Sequence, residues 1–185
     1  MLRATFYALA LVALTNPSLA DEVTETLSSA MQAYEDGDID YAIEELDYAK
    51  QLLQAMGAAE LSAFLPEAPA GWTREIGESE MSSGLAMLGG GVGAEAEYSD
   101  GTNSFTVTLM ADNPMVAMMG GMVTNAPMLG MKLERVGREK FLYDDGQLTG
   151  LIDNRILVQA EGGDKALMIS VLETMDFEAL EDFGS

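Results

Sequence analysis

The chain has 185 residues, 31 acidic and 9 basic, for a formal charge of −22, with no histidine and no cysteine. That balance excludes nucleic-acid binding, which needs a basic surface to meet phosphate. The two missing residue types remove the usual general base, the thiol nucleophile, the disulfide framework and the common zinc and iron ligands, so the chain is expected not to be an enzyme.

In chain order, the first twenty residues read as a secretory signal: Arg3 is the positive end, Phe6 to Leu14 the apolar run, and Ser18-Leu19-Ala20 a small-residue cleavage site. The apolar run is too short to cross roughly 30 Å of hydrocarbon, so a soluble, exported, periplasmic protein with no transmembrane segment after cleavage is expected. The remaining organisation reads as a helical hairpin over 21–64, a linker over 65–72 and an α+β sheet domain over 73–185.

The hairpin rests on a helical pattern from Val23 to Tyr34 and a second one ending at Met56, with Ala42, Leu46, Ala49 and Leu53 along one side. Gly37 ends the first helix and Asp38 is placed to cap the second. Ala33-Tyr34, Gly37-Asp38, Ala42-Ile43-Glu44, Leu46 and Ala49 stand at the spacing of a tetratricopeptide repeat, which this hairpin resembles in a single copy. A lone repeat builds no peptide-binding groove, because such units bury their faces by stacking on neighbours.

Pro66, Pro69 and Gly71 in LPEAPAGW mark the linker, and Trp72, the only tryptophan, is expected to anchor entry into the sheet domain. This segment, with YSDG, SFTVTLMADNPM and TMDFEAL further on, resembles a group of exported proteins of alphaproteobacteria that share a proline-and-tryptophan entry, a methionine-rich middle and a strand-rich end. The resemblance implies compartment and architecture and no mechanism.

Strands are predicted at Thr73–Met81, Ala94–Ser99 and Ser104–Ala111, where Phe105, Val107 and Leu109 alternate with polar residues. The intervening Ser82–Gly93 carries exposed apolar Leu85 and Met87, candidates for a contact patch. Four further strands, Lys132–Val136, Glu139–Tyr143, Gln147–Ile152 and Arg155–Glu161, are joined by short turns and read as an antiparallel meander. Asp164 is placed to cap a final helix from Lys165 to Leu172. The order of elements predicts an α+β fold, an N-terminal helical hairpin followed by an antiparallel sheet with helices packed on one face. In outline it is similar to Mog1 and PsbP-type domains.

The most distinctive segment is uncharged, Asn113 to Met131, with seven of the fourteen methionines lying between Met110 and Met131. Met115, Met118, Met119 and Met122 fall at i, i+3, i+4 and i+7, the spacing of one helical face. A helix from Pro114 to about Val123 is apolar all round, and such a helix is either enclosed or covered by a partner. The expectation is a binding or interaction module that uses Met115, Met118, Met119, Met122 and Met128, with Leu85 and Met87, to hold an apolar ligand, a peptide or a second subunit in a homodimer. The alternative is a Cu(I) site made from the thioethers of Met115, Met118, Met119 and Met122, since soft sulfur ligands suit cuprous ion.

Overall fold

The structure, a computed structural model, describes residues 19–77 and 90–184. The expected signal segment lies almost entirely outside the described residues, as do Leu85 and Met87. By its internal contacts the chain forms two compact units that divide at Leu52 and Leu53, inside the second helix.

In the first unit, α1 (Leu19–Asp36) and the first part of α2 (Ile39–Ser62) form the hairpin. Gly37 takes the left-handed conformation that a tight helix-ending turn demands, and the Asp38 carboxylate accepts from the Tyr41 amide to cap α2. The buried line of α1 is Val23, Thr26, Ala30 and Ala33, and that of α2 is Ala42, Ala49 and Leu52. Mostly small residues therefore fill the helix contact. Leu46 and Leu53, expected on the inner side, are each 51% exposed, because the seam turns toward Leu52 rather than Leu53.

The second unit is a seven-stranded, fully antiparallel sheet: β1 (Thr73–Gly77), β2 (Val92–Ser99), β3 (Ser104–Ala111), β4 (Leu133–Val136), β5 (Glu139–Asp144), β6 (Gln147–Ile152) and β7 (Ile156–Glu161). Its spatial order is β1-β2-β3-β7-β6-β5-β4. Two meanders are thus joined side by side through β3 and β7, with Met110 opposite Leu157 and Leu109 opposite Val158. The link from β3 to β4 must travel from the middle of the sheet to its far edge. It does so through α3 (Pro114–Asn125) and a 3-10 turn (Ala126–Leu129).

Alternation sorts the strands onto two faces. Phe105, Val107, Leu109, Ile156, Val158, Leu148 and Ile152 point into the main core, where they meet Leu61 and Leu65, α4 (Lys165–Leu172) and α5 (Phe177–Glu181). Trp72 packs there against Phe105, ring centroids 5.4 Å apart, and the buried Tyr98 stacks on the same ring at 4.7 Å. The Tyr98 hydroxyl donates to the Pro66 carbonyl at 2.6 Å, while Arg74 donates to the Leu65 and Pro66 carbonyls, so the proline-rich segment is pinned rather than loose.

The α+β class, the hairpin and the antiparallel sheet are as the sequence predicts. The helices, however, divide between the two faces. α3 lies opposite α4 and α5, packing Met115, Val116 and Met119 on Met110, Leu151 and Leu157. The physical reason is legible at the strand ends, where alternation lapses into continuous apolar runs, Leu109-Met110-Ala111, Leu151-Ile152 and Ile156-Leu157-Val158. Strands covered on both sides read this way.

Candidate functional site

α3 begins where the sequence places it. The Asn113 side chain caps it by accepting from the Met115 amide at 2.8 Å, and Pro114 occupies the first turn, where its missing N–H is no loss. The amide of the same side chain donates to the Gly90 carbonyl, which fixes the entry of the helix against the start of β2. At the other end Gly130 adopts a left-handed conformation and turns the chain toward β4.

The four methionines of the stripe do not share an environment. At 100° per residue, the face that meets the sheet is centred on Val116 and Gly120, both buried, and is rotated from the methionine stripe by roughly a third of a turn. Met115 and Met119 lie on its flank and pack on the sheet. Met118 and Met122 point outward, 70% and 49% exposed, and Met128 on the 3-10 turn is 86% exposed. The donor set that the Cu(I) expectation draws on is therefore unevenly buried: the Met115 and Met119 side chains pack on the sheet, and Met118 and Met122 are exposed. No group of three or more carboxylates suited to a metal ion occurs among the described residues.

Gly120 sets the distance between helix and sheet. A Cβ there would stand 2.7 Å from a terminal methyl of Leu151, whereas one at Gly121 would meet open space. The close approach leaves a cleft of about 230 Å³ where the C-terminal half of α3 overhangs β5, β6 and β7. Its apolar wall is Met119, Met122, Val123 and Leu142. The opposite wall is polar: Asp144 and Asp145, Gln147, Thr149 and Glu161.

That polar wall comes from a tight hairpin. Asp145 and Gly146 both have positive φ, 45° and 83°, the two-residue turn that matches strand twist, and they set Asp144 directly opposite Gln147. Across the next pair Gln147 opposes Glu161 and donates to its carboxylate at 2.9 Å. Thr149 lies deeper, between Leu142 and Gln159, and is 4% exposed. Its hydroxyl has no hydrogen-bond partner among the described residues. Because no described side-chain oxygen or nitrogen is both sealed from solvent and unpartnered, that hydroxyl keeps some solvent access, on a residue that lines the cleft. The ion pairs among the described residues, Arg74–Glu67, Arg155–Asp112 and Lys165–Glu134, include none of the three cleft carboxylates.

Sequence reasoning thus singled out Met119 and Met122 and missed the other wall. Asp144-Asp145-Gly146 was legible as a turn, but only the strand register brings Thr149 and Glu161 under the helix. Among the described residues no helix is long and apolar enough to cross a membrane. Comparison of the chain with family models, with curated proteins and with solved structures yields no match.

Proposed function

We propose that the chain is a non-enzymatic binding module of the periplasm that holds an apolar segment of a partner or ligand against the outer side of α3 and the turn that follows it. The observation that carries this reading is the exposure of Met118, Met122 and Met128, three large thioether side chains on one continuous stretch beside a cleft. Methionine surfaces of this kind adapt to varied apolar shapes because the side chain is unbranched and polarisable. The absence of histidine and cysteine supports a binding role over a catalytic one, and the apolar run from Phe6 to Leu14 behind Arg3 supports export. A copper site is the weaker reading, since the side chains of Met115 and Met119 are partly buried against the sheet while those of Met118 and Met122 are exposed.

The test is titration of methyl-labelled methionine protein with an environment-sensitive hydrophobic dye. The methyl resonances of Met118, Met122 and Met128 are expected to shift first, and glutamine at all three positions to weaken the dye by about tenfold through lost apolar burial. Exposed substitutions of this kind leave stability within about 0.5 kcal/mol, so the thermal midpoint serves as the folding control. Dye binding that leaves those three methyls unmoved overturns the proposal.

A further inference from the structure

The cleft beneath α3 has a chemistry of its own, distinct from the exposed methionines above it. Its walls combine thioether and aliphatic carbon on one side with carboxylates, an amide and a hydroxyl on the other, and among the described residues no lysine or arginine lines it. Gln147 already spends a donor on Glu161, so the groups turned to a ligand are mainly acceptors. Thr149 adds an independent indication: it lines this cleft, is 4% exposed, and its hydroxyl lacks a partner among the described residues. That hydroxyl keeps some solvent access, so a ligand N–H that it accepts would take the place of water there. At about 230 Å³ the space is below the roughly 300 Å³ of the smallest drug-sized sites, and fits one side chain or a small amine.

We propose that the cleft receives an alkylammonium or guanidinium group on an apolar stem, the stem lying along Met119, Met122 and Leu142 and the cationic head reaching Thr149, Asp144 and Glu161. The head is held by charge-assisted hydrogen bonds to the two carboxylates and by one bond to the Thr149 hydroxyl. The proposal rests on the binding-module reading and names the ligand class for the inner part of that site. The source of the cation is a free aliphatic amine or the lysine or arginine side chain of a partner.

Three probes titrated into methyl-labelled methionine protein decide it: n-pentylammonium chloride, 1-pentanol, and the capped tripeptide Leu-Lys-Leu. The ammonium is expected to shift the Met119 and Met122 methyls while leaving Met128 in place. Thr149→Val should weaken its dissociation constant by about tenfold and Glu161→Gln by a similar factor, the scale of a hydrogen bond to a charged group. Raising salt to about 0.5 M should weaken it further. The valine variant retains the shape of threonine and removes only an unpartnered hydroxyl, so it is expected to fold, which its thermal midpoint checks. A tripeptide that binds more tightly than the amine assigns the site to a partner's side chain, and the reverse order assigns it to a free amine. Pentanol shifting the same methyls with equal affinity, or an ammonium constant unchanged in Thr149→Val, overturns the inference. If the ammonium fails while the dye still reports Met118, Met122 and Met128, the cation inference falls alone and the apolar binding surface stands.

Discussion

Tyr98 shows how one side chain carries several duties of the sheet domain. Its ring is fully buried and stacked on Phe105, and its hydroxyl anchors the proline-rich segment through Pro66. Burial pushes its pKa up to about 12, against an opposing pull from the nearby Arg74 guanidinium. The folded state therefore holds the phenolic proton more tightly than the unfolded state, whose value is 10.0. Stability from this group is complete below pH 10 and is lost as pH rises toward 12, because the unfolded chain ionises first. Tyr98→Phe should cost about 1–2 kcal/mol in urea denaturation near neutral pH, through the lost bond and the carbonyl left with one partner fewer. Across the alkaline window the variant should show a shallower decline than the parent, not a flat line, since Tyr48 is also raised by its hydrogen bond to Glu22. An identical alkaline slope in both proteins would refute the assignment.

At the scale of elements, the adjacent glycines of α3 separate helix propensity from packing. Gly121 faces open space, so alanine there should stabilise by up to about 1 kcal/mol through propensity alone. A Cβ at Gly120 would come within 2.7 Å of Leu151, and leucine there, nearly as good a helix former as alanine, should destabilise by about 1–3 kcal/mol because Leu151 or the helix itself must shift. Paired denaturant titrations of the two variants check the opposite signs; a loss at Gly121 would mean that its outer side is covered. These two residues also mark how far the sequence could be read. Capping by Asp38 and Asp164, the turns at Asp145-Gly146 and the seven-strand count follow from local chemistry, and the structure carries each of them. Which side of α3 meets the sheet did not follow. A helix apolar around its whole circumference has no polar face to orient it, so small Gly120 and Val116, rather than the larger methionines, determine the contact. The second wall of the cleft was hidden for a different reason: Asp144, Thr149 and Glu161 converge only through cross-strand register, which depends on how two meanders dock.

For the whole molecule the governing quantity is the charge of −22, which opposes compaction at every pH where the carboxylates are ionised. The repulsion has a local expression on the edge of the sheet. β1 sets Glu75 directly opposite Glu97 of β2, a like-charge pair in a position where opposite charges stabilise and equal ones do not. Both are exposed, so the repulsion is screened by salt rather than relieved by burial. The thermal midpoint of the parent should therefore rise between low salt and about 0.5 M sodium chloride, over which the Debye length shrinks to a few ångströms. Glu75→Lys converts the repulsive pair into an attractive one on an edge strand and should raise the low-salt midpoint by roughly 1–4 °C. It should also reduce the salt-induced increment, since part of what salt screens has been removed. A midpoint insensitive to salt in the parent would mean that the acidic residues are spaced widely enough not to interact. A rise in Glu75→Lys that persists undiminished at high salt would instead assign the gain to packing of the lysine stem along β2. The same measurement bears on the cleft, because Glu161 and Asp144 belong to the same negative field. Salt should stabilise the fold while weakening capture of an alkylammonium, and these opposite responses in one protein separate self-repulsion from recognition.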